Sequence, residues 1–264
     1  MADITGTPGD DVLAGTADND SIAGLDGNDI LAGLDGNDDL NGGPGNDLMV
    51  GGRGADTKAG EHGNDRFIWN NGDGSDAMDG GADFDTQEVN GAVAAGDEFQ
   101  VDAGADGAAV FQRVNLVPFS LTMQEVELLD VRGLGGDDRF TVGNLAGTAI
   151  VQSVGWRAGD GDDELDARHA TTPIYAFGED GDDTLRGGSA SDALSGGDGK
   201  DTIVFARGSG TDTVLDFDPA EDRLELQGFD DAPRQLRGDD GTLVLDFGEG
   251  DVLVLQGVGD ILFG

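Results

Sequence analysis

Gly24-Leu25-Asp26-Gly27-Asn28-Asp29-Ile30-Leu31-Ala32, Gly33-Leu34-Asp35-Gly36-Asn37-Asp38-Asp39-Leu40-Asn41 and Gly42-Gly43-Pro44-Gly45-Asn46-Asp47-Leu48-Met49-Val50 are three consecutive copies of one nine-residue pattern. Its general form is Gly-Gly-x-Gly-x-Asp-x-apolar-x. It begins at Gly6, continues almost without interruption to Ile68, and returns between Gly178 and Val204. In the first block the sixth position reads Asp11, Asp20, Asp29, Asp38, Asp47, Asp56 and Asp65. The eighth reads Leu13, Ile22, Leu31, Leu40, Met49, Lys58 and Phe67.

These two columns dictate a local structure. Three residues of the form x-apolar-x make a short strand whose middle side chain points inward, because alternate side chains face opposite ways. The six residues before it turn the chain, with glycine where φ is positive or backbones approach closely. Two such units close one coil of a flattened helix, so repeats n and n+2 stack at a strand spacing of about 4.8 Å. Asp11, Asp29, Asp47 and Asp65 then line one edge, and Asp20, Asp38 and Asp56 the other. Each coil buries only two apolar residues, so its stability depends on its neighbours. Lys58 breaks the apolar column and is expected to disturb the coil around Asp56. Asp18 and Ala190 replace the fourth-position glycine and are expected to alter the turns ending at Asp20 and Asp192.

The second block has Asp183, Asp192 and Asp201 at the sixth position over Leu185, Leu194 and Ile203. Both blocks end alike: Asp65 is followed by Asp76, and Asp201 by Asp212, each later than the nonapeptide period would place it. That shared ending predicts a duplicated coil type with Trp69 and Phe205 at equivalent places. Between the blocks the pattern lapses. Apolar alternation in Glu98–Val101, Ala109–Val114 and Val126–Val131 predicts a β-rich insertion over 86–134. The acidic turns at Asp138, Asp163 and Asp183 are spaced more widely than the nonapeptide and predict a solenoid with larger coils. The fold class is therefore all-β: a parallel β-roll or β-helix solenoid, with a central β insertion and a C-terminal β cap. Expected divisions are 1–85, 86–134, 135–212 and 213–264.

The 264 residues include 48 glycines, 55 acidic and 14 basic side chains and no cysteine, giving a formal charge of −41. Such charge repels a compact state unless something offsets it. Carboxylates at a fixed period point to a cation as the missing component. Calcium takes six to eight oxygen ligands in tolerant geometry, which paired carboxylates and backbone carbonyls supply. Transition metals favour histidine or cysteine, and His62 and His169 are the only candidates, in different blocks. The fifth-position residues Asn28, Asn37, Asn46 and Asn64 read as turn formers. Nucleic acid is excluded as a partner by the lack of a basic patch, and no apolar run approaches the roughly 20 residues of a membrane span. Met1–Gly6 has neither the basic nor the apolar region of a Sec signal.

The repeats resemble those of the RTX (repeats-in-toxin) calcium-binding family. The tail adds to the likeness through Asp212-Thr213-Val214-Leu215-Asp216-Phe217, Asp222-Arg223-Leu224-Glu225-Leu226 and the apolar runs Thr242–Leu245 and Asp251–Leu255. The resemblance implies folding on calcium outside the cell and export by type I secretion machinery. In that family an uncleaved C-terminal signal directs export, and Asp260-Ile261-Leu262-Phe263 resembles it although Gly264 follows. Expected calcium ligands are Asp11, Asp20, Asp29, Asp38, Asp47, Asp56, Asp65, Asp76, Asp85, Asp138, Asp163, Asp183, Asp192, Asp201, Asp212, Asp216 and Asp222, holding roughly ten ions. The function expected is a secreted, non-enzymatic structural, matrix or adhesion protein with an extracellular matrix or polysaccharide partner. An alternative is a polysaccharide lyase or epimerase using Asp160, Trp156, Arg157 and Tyr175; a membrane-active role is a third. Neither His-Glu-x-x-His nor Gly-x-Ser-x-Gly occurs.

Overall fold

A computed structural model describes residues 1–150, 152–238 and 241–258; Asp260–Phe263, read above as an export signal, lies outside them. The described residues are all-β, with their strands in two sheets of 13. Among the described residues the only helical element is the 3-10 turn Ala105–Gly107. None is long and apolar enough to cross a membrane as a helix.

Contacts divide the chain into two compact units of interleaved segments: 1–91, 100–132 and 145–152, and 92–99, 133–144 and 153–264. In the first unit, Asp3–Thr5, Ser21–Ala23, Asp39–Pro44, Thr57–His62 and Asp76–Ala82 pair in parallel. Val12–Ala14, Ile30–Asp35, Leu48–Arg53, Arg66–Asn70 and Thr86–Asn90 form the facing series, continued by the first five residues of Leu128–Gly135. The registers Val12↔Ile30 and Ser21↔Asp39 pair each strand with its equivalent two nonapeptides later, so two nonapeptides make one coil and repeats n and n+2 stack.

Inside the coils run two columns. Leu31, Met49, Phe67, Gln87 and Leu129 form one, and Ile22, Leu40, Lys58, Met78 and Met123 the other, all buried. Burying a Leu, Met or Phe side chain contributes about 1.5–3 kcal/mol, and these columns deliver it only when neighbouring coils cover them. The strand Thr57–His62 around Lys58 keeps full parallel register on both sides. The expected disturbance is absent because the lysine stem fills the apolar column while its ammonium finds a partner, described below.

Thr86–Asn90 is itself a coil strand, and Phe119–Gln124 pairs in parallel with Asp76–Ala82 while forming an antiparallel hairpin with Ala109–Arg113. In the second unit, Arg139–Val142, Glu164–Asp166, Thr184–Arg186, Thr202–Ala206 and Arg223–Gln227 stack in parallel. Ser153–Asp160, Ile174–Asp180, Ala193–Asp198, Thr211–Val214 and Asp251–Leu255 form the facing series. Leu243–Gly248 and Arg234–Arg237 then add antiparallel and end this unit in a β meander.

Candidate metal centres at the coil edges

Each coil edge is built around a column of sixth-position aspartates. The backbone N–H of one Asp donates to Oδ1 of the Asp in the next coil. Along one edge this runs Asp11 to Asp29 to Asp47 to Asp65 to Asp85, at 2.7–2.8 Å. Along the other, Asp20, Asp38, Asp56 and Asp76 are linked at 2.7–3.0 Å. In the second unit Asp97, Asp138, Asp163, Asp183, Asp201 and Asp222 follow one another at 2.5–3.1 Å, and Asp192 donates to Asp212 at 3.0 Å. The fifth-position side chains make a parallel, outer ladder: Asn28, Asn46 and Asn64 each accept the N–H of the fifth residue one coil later. They are turn-builders, and in the second unit Asp137, Asp162 and Asp182 do the same.

The second carboxylate oxygen divides the turns into two classes. Oδ2 of Asp29, Asp38, Asp47, Asp56, Asp65, Asp85, Asp138, Asp163, Asp183 and Asp201 is buried without any hydrogen-bond partner. Oδ2 of Asp11, Asp20, Asp97, Asp192 and Asp222 instead accepts a backbone N–H from its own turn, donated by Thr7, Thr16, Ala92, Gly188 and Asp218. The backbone explains the division. Every open turn has positive φ at its second and fourth positions: Leu25 and Gly27, Leu34 and Gly36, Gly43 and Gly45, and so on to Gly197 and Gly199. Thr7, Thr16 and Gly188 do not, and their N–H groups face the carboxylate. Asp18 and Ala190 stand at the fourth position of closed turns, whereas Asp83 holds a φ of 88° at the fourth position of the open turn of Asp85.

An orphaned buried carboxylate oxygen costs on the order of 1–3 kcal/mol or more when charged, and ten of them in register are ten requests for a cation. Their surroundings are oxygen-rich. A Cβ placed at Gly24, Gly33 or Gly60 would collide with Oδ2 of Asp29, Asp38 or Asp65 and with a carbonyl oxygen of the next coil, that of Gly42, Gly51 or Gly80. The first-position glycine thus leaves open a cradle bounded by a carboxylate and a carbonyl. Among the described residues no three His, Asp or Glu side chains converge on one point, so carbonyls must complete any ligand set. Hard, oxygen-seeking calcium suits such donors.

The RTX calcium-binding nonapeptide repeat matches the chain in four copies, over residues 5–40, 24–57, 41–68 and 177–214. This chain carries RTX calcium-binding repeats. No curated protein matches it. Among solved structures, the extracellular lipase LipA from Serratia marcescens is similar at 18% identity and a TM-score of 0.28; the likeness covers 96% of this chain and 37% of the lipase.

Electrostatics in the open turns favour any positive partner. Burial pushes Asp47, Asp56, Asp85, Asp163 and Asp201 up to about 6, and Asp65, Asp138 and Asp183 up to about 7. The donated backbone N–H pulls each back, and nearby carboxylates push most of them further up. Asp20 moves the other way, held low chiefly by the N–H of Ala2. The remaining expected ligands have other engagements. Oδ2 of Asp76 accepts the ammonium of Lys58 at 2.9 Å. Asp216 accepts Ser195 Oγ and the N–H groups of Gly196 and Gly197. Asp212 is buried beside Asp192 and Asp251, and burial first and those carboxylates next push it to about 8.

Three acidic members of these edges escape sequence reading. Asp97 heads the second unit's column, but Ala92-Val93-Ala94-Ala95-Gly96 before it lacks the first glycine. Glu127 takes the place of a stacked aspartate, accepting the Asp85 N–H at 2.8 Å. Asp251 accepts the N–H groups of Gly208 and Gly210 at the second unit's last turn. Of the sugar-site candidates, Trp156 is wholly buried, while Tyr175 is half exposed and paired with Gly155 on the neighbouring strand. Arg157 lies over the Phe177 ring. His62 and His169 stand in different units.

Proposed function

We propose that this chain is a secreted calcium-binding β-roll protein that folds outside the cell as ions enter its ten open turns, and that it works as a structural, matrix or adhesion component rather than as a catalyst. The observation that carries the reading is the set of ten buried Oδ2 atoms without partners. Calcium at each would satisfy an orphaned oxygen and together offset about half of the formal charge of −41. Turns at Asp11, Asp20, Asp192 and Asp222 are assigned no ion, because their carboxylates are already closed by N–H groups. Extracellular calcium modules bind with Kd on the order of 10⁻⁴–10⁻³ M. Such affinity keeps the chain unfolded where calcium is scarce and folds it where calcium is abundant, making folding and binding one linked equilibrium. That logic suits export by type I machinery, with a polysaccharide or matrix component as partner.

The test is far-UV circular dichroism during calcium titration of chelator-treated protein, with magnesium as control and the bound calcium counted at saturation. A cooperative coil-to-β transition with calcium alone, and a count near ten, is the expected result. A complete β signal in chelator would sink the proposal, since the apolar columns alone would then hold the fold.

A further inference from the structure

One position in the aspartate columns already contains a cation. On the edge Asp20–Asp38–Asp56–Asp76, the Oδ2 atoms of Asp38 and Asp56 are orphaned, whereas Asp76 Oδ2 lies 2.9 Å from Lys58 Nζ. Both side chains are inaccessible to solvent, at 0% and 1% exposure. Lys58 occupies the eighth position, in register between Leu40 and Met78, where the repeat calls for an apolar residue. Its methylene stem packs in the column and its ammonium reaches the turn of the next coil. The same turn is closed a second time, by Trp69 Nε1 donating to the Gly74 carbonyl at 2.8 Å. An ammonium buried in an apolar column is costly unless paired, and here the partner is the carboxylate whose equivalents in the two coils before it, Asp38 and Asp56, have none.

We infer that Lys58 is a tethered stand-in for a divalent cation, so that the joint between Thr57–His62 and Asp76–Ala82 holds without calcium inside an otherwise calcium-dependent stack. The inference rests on the reading of the open turns as calcium sites. It gives the first unit a built-in starting point: one pair of coils ordered before any ion binds, from which neighbouring coils stack outward as calcium arrives.

Hydrogen exchange by mass spectrometry on the full chain, in chelator and in saturating calcium, tests this. In chelator the wild type should exchange at least tenfold more slowly in 57–62 and 76–82 than in 30–35 and 48–53. In Lys58→Met that difference should vanish, while saturating calcium protects all four segments in both proteins. Uniformly fast exchange of the wild type in chelator, or a Lys58→Met protein that keeps the local protection, overturns the inference and leaves the calcium reading intact. Uniformly slow exchange in chelator overturns both. If Lys58→Met fails to fold even in calcium, the double variant Lys58→Met/Asp76→Asn decides. Recovery of the calcium-loaded fold supports charge compensation, and no recovery reduces Lys58 to a packing residue.

Discussion

The stretches Asp65–Asp76 and Asp201–Asp212 are built to one plan and differ in the partner of their last aspartate. Each carries an inward aromatic residue, Trp69 or Phe205, on the strand after the first aspartate. Trp69 stacks on Phe119 with centroids 3.7 Å apart; Phe205 packs against Phe229 at 5.8 Å and Phe247 at 5.3 Å. An arginine covers each cluster, Arg113 at 5.6 Å from Trp69 and Arg207 at 5.8 Å from Phe229. Asp76 and Asp212 then accept the N–H of Asp56 and Asp192 in the same way. Two residues beyond those donors stand Lys58 in one case and Leu194 in the other. Asp76 therefore has an ammonium, while burial, with Asp192 and Asp251 beside it, pushes Asp212 up to about 8. One backbone thus carries two solutions to a buried carboxylate, and the choice is made by the eighth residue of the preceding coil.

The largest effect is expected where that choice is undone. Asp76→Asn keeps the Oδ1 acceptor but strands the buried ammonium, a loss of about 3–5 kcal/mol in urea denaturation with saturating calcium. Asp212→Asn replaces a carboxylate that is already protonated in the fold, so it should be tolerated near neutral pH. The sign follows from its folded value of about 8 against an ordinary 3.8. The stability Asp212 contributes is complete below about pH 4 and is lost as pH rises through 8. Relative to wild type, Asp212→Asn should gain roughly 1.4 kcal/mol per pH unit between pH 5 and 7. Equal losses from the two variants at pH 7 would break the comparison.

A smaller contrast separates open from closed turns. Asp47→Asn removes the charge beside an orphaned oxygen and should raise the calcium midpoint while lowering the calcium count at saturation by one ion. Asp192→Asn removes an oxygen closed by the Gly188 N–H; it should cost about 1–2 kcal/mol of stability, shift the midpoint only through that loss, and leave the calcium count at saturation unchanged. The readout is the circular dichroism titration already described. A calcium count that falls alike in both would erase the distinction between the classes.

Much of this was legible from residue spacing, and the gaps have physical causes. A period of nine with glycine and aspartate in fixed places determines coil length, stacking and both edges, because every backbone torsion in the turn depends on those residues. Asp18 and Ala190 mark closed turns, since without a fourth-position glycine the αL conformation is disfavoured, although Asp83 adopts it at φ 88° in the open turn of Asp85. Asp11 shows the limit: Gly9 is present, yet its φ is not positive, and the turn closes on Thr7. Lys58 looks like a defect in one dimension because its partner, Asp76, lies a full coil further along the chain. Asp97 and Glu127 are hidden because their turns lost the glycines while stacking against regular neighbours kept their geometry.

The smallest effect concerns the second position, where φ is positive in every open turn but the residue varies. Leu25, Leu34, Glu61, Leu134 and Glu179 adopt φ of 75–82° although they carry a Cβ. Along each edge they alternate with glycine: Leu25, Gly43, Glu61, Gly81 in one column, and Leu134, Gly159, Glu179, Gly197 in another. The glycines are forced by space, since a Cβ at Gly43 or Gly52 would strike the carbonyl of Leu25 or Leu34 one coil earlier. Leu34 is half exposed and follows the closed turn of Thr16, so its side chain buries little to offset the αL penalty. Leu34→Gly should therefore stabilise the calcium-loaded protein by about 1 kcal/mol, read as a higher Tm, whereas Gly52→Ala should lower it. If Leu34→Gly lowers the Tm instead, the leucine side chain holds the turn open by contacts worth more than its strain, and the second position belongs to the calcium-binding class distinction after all.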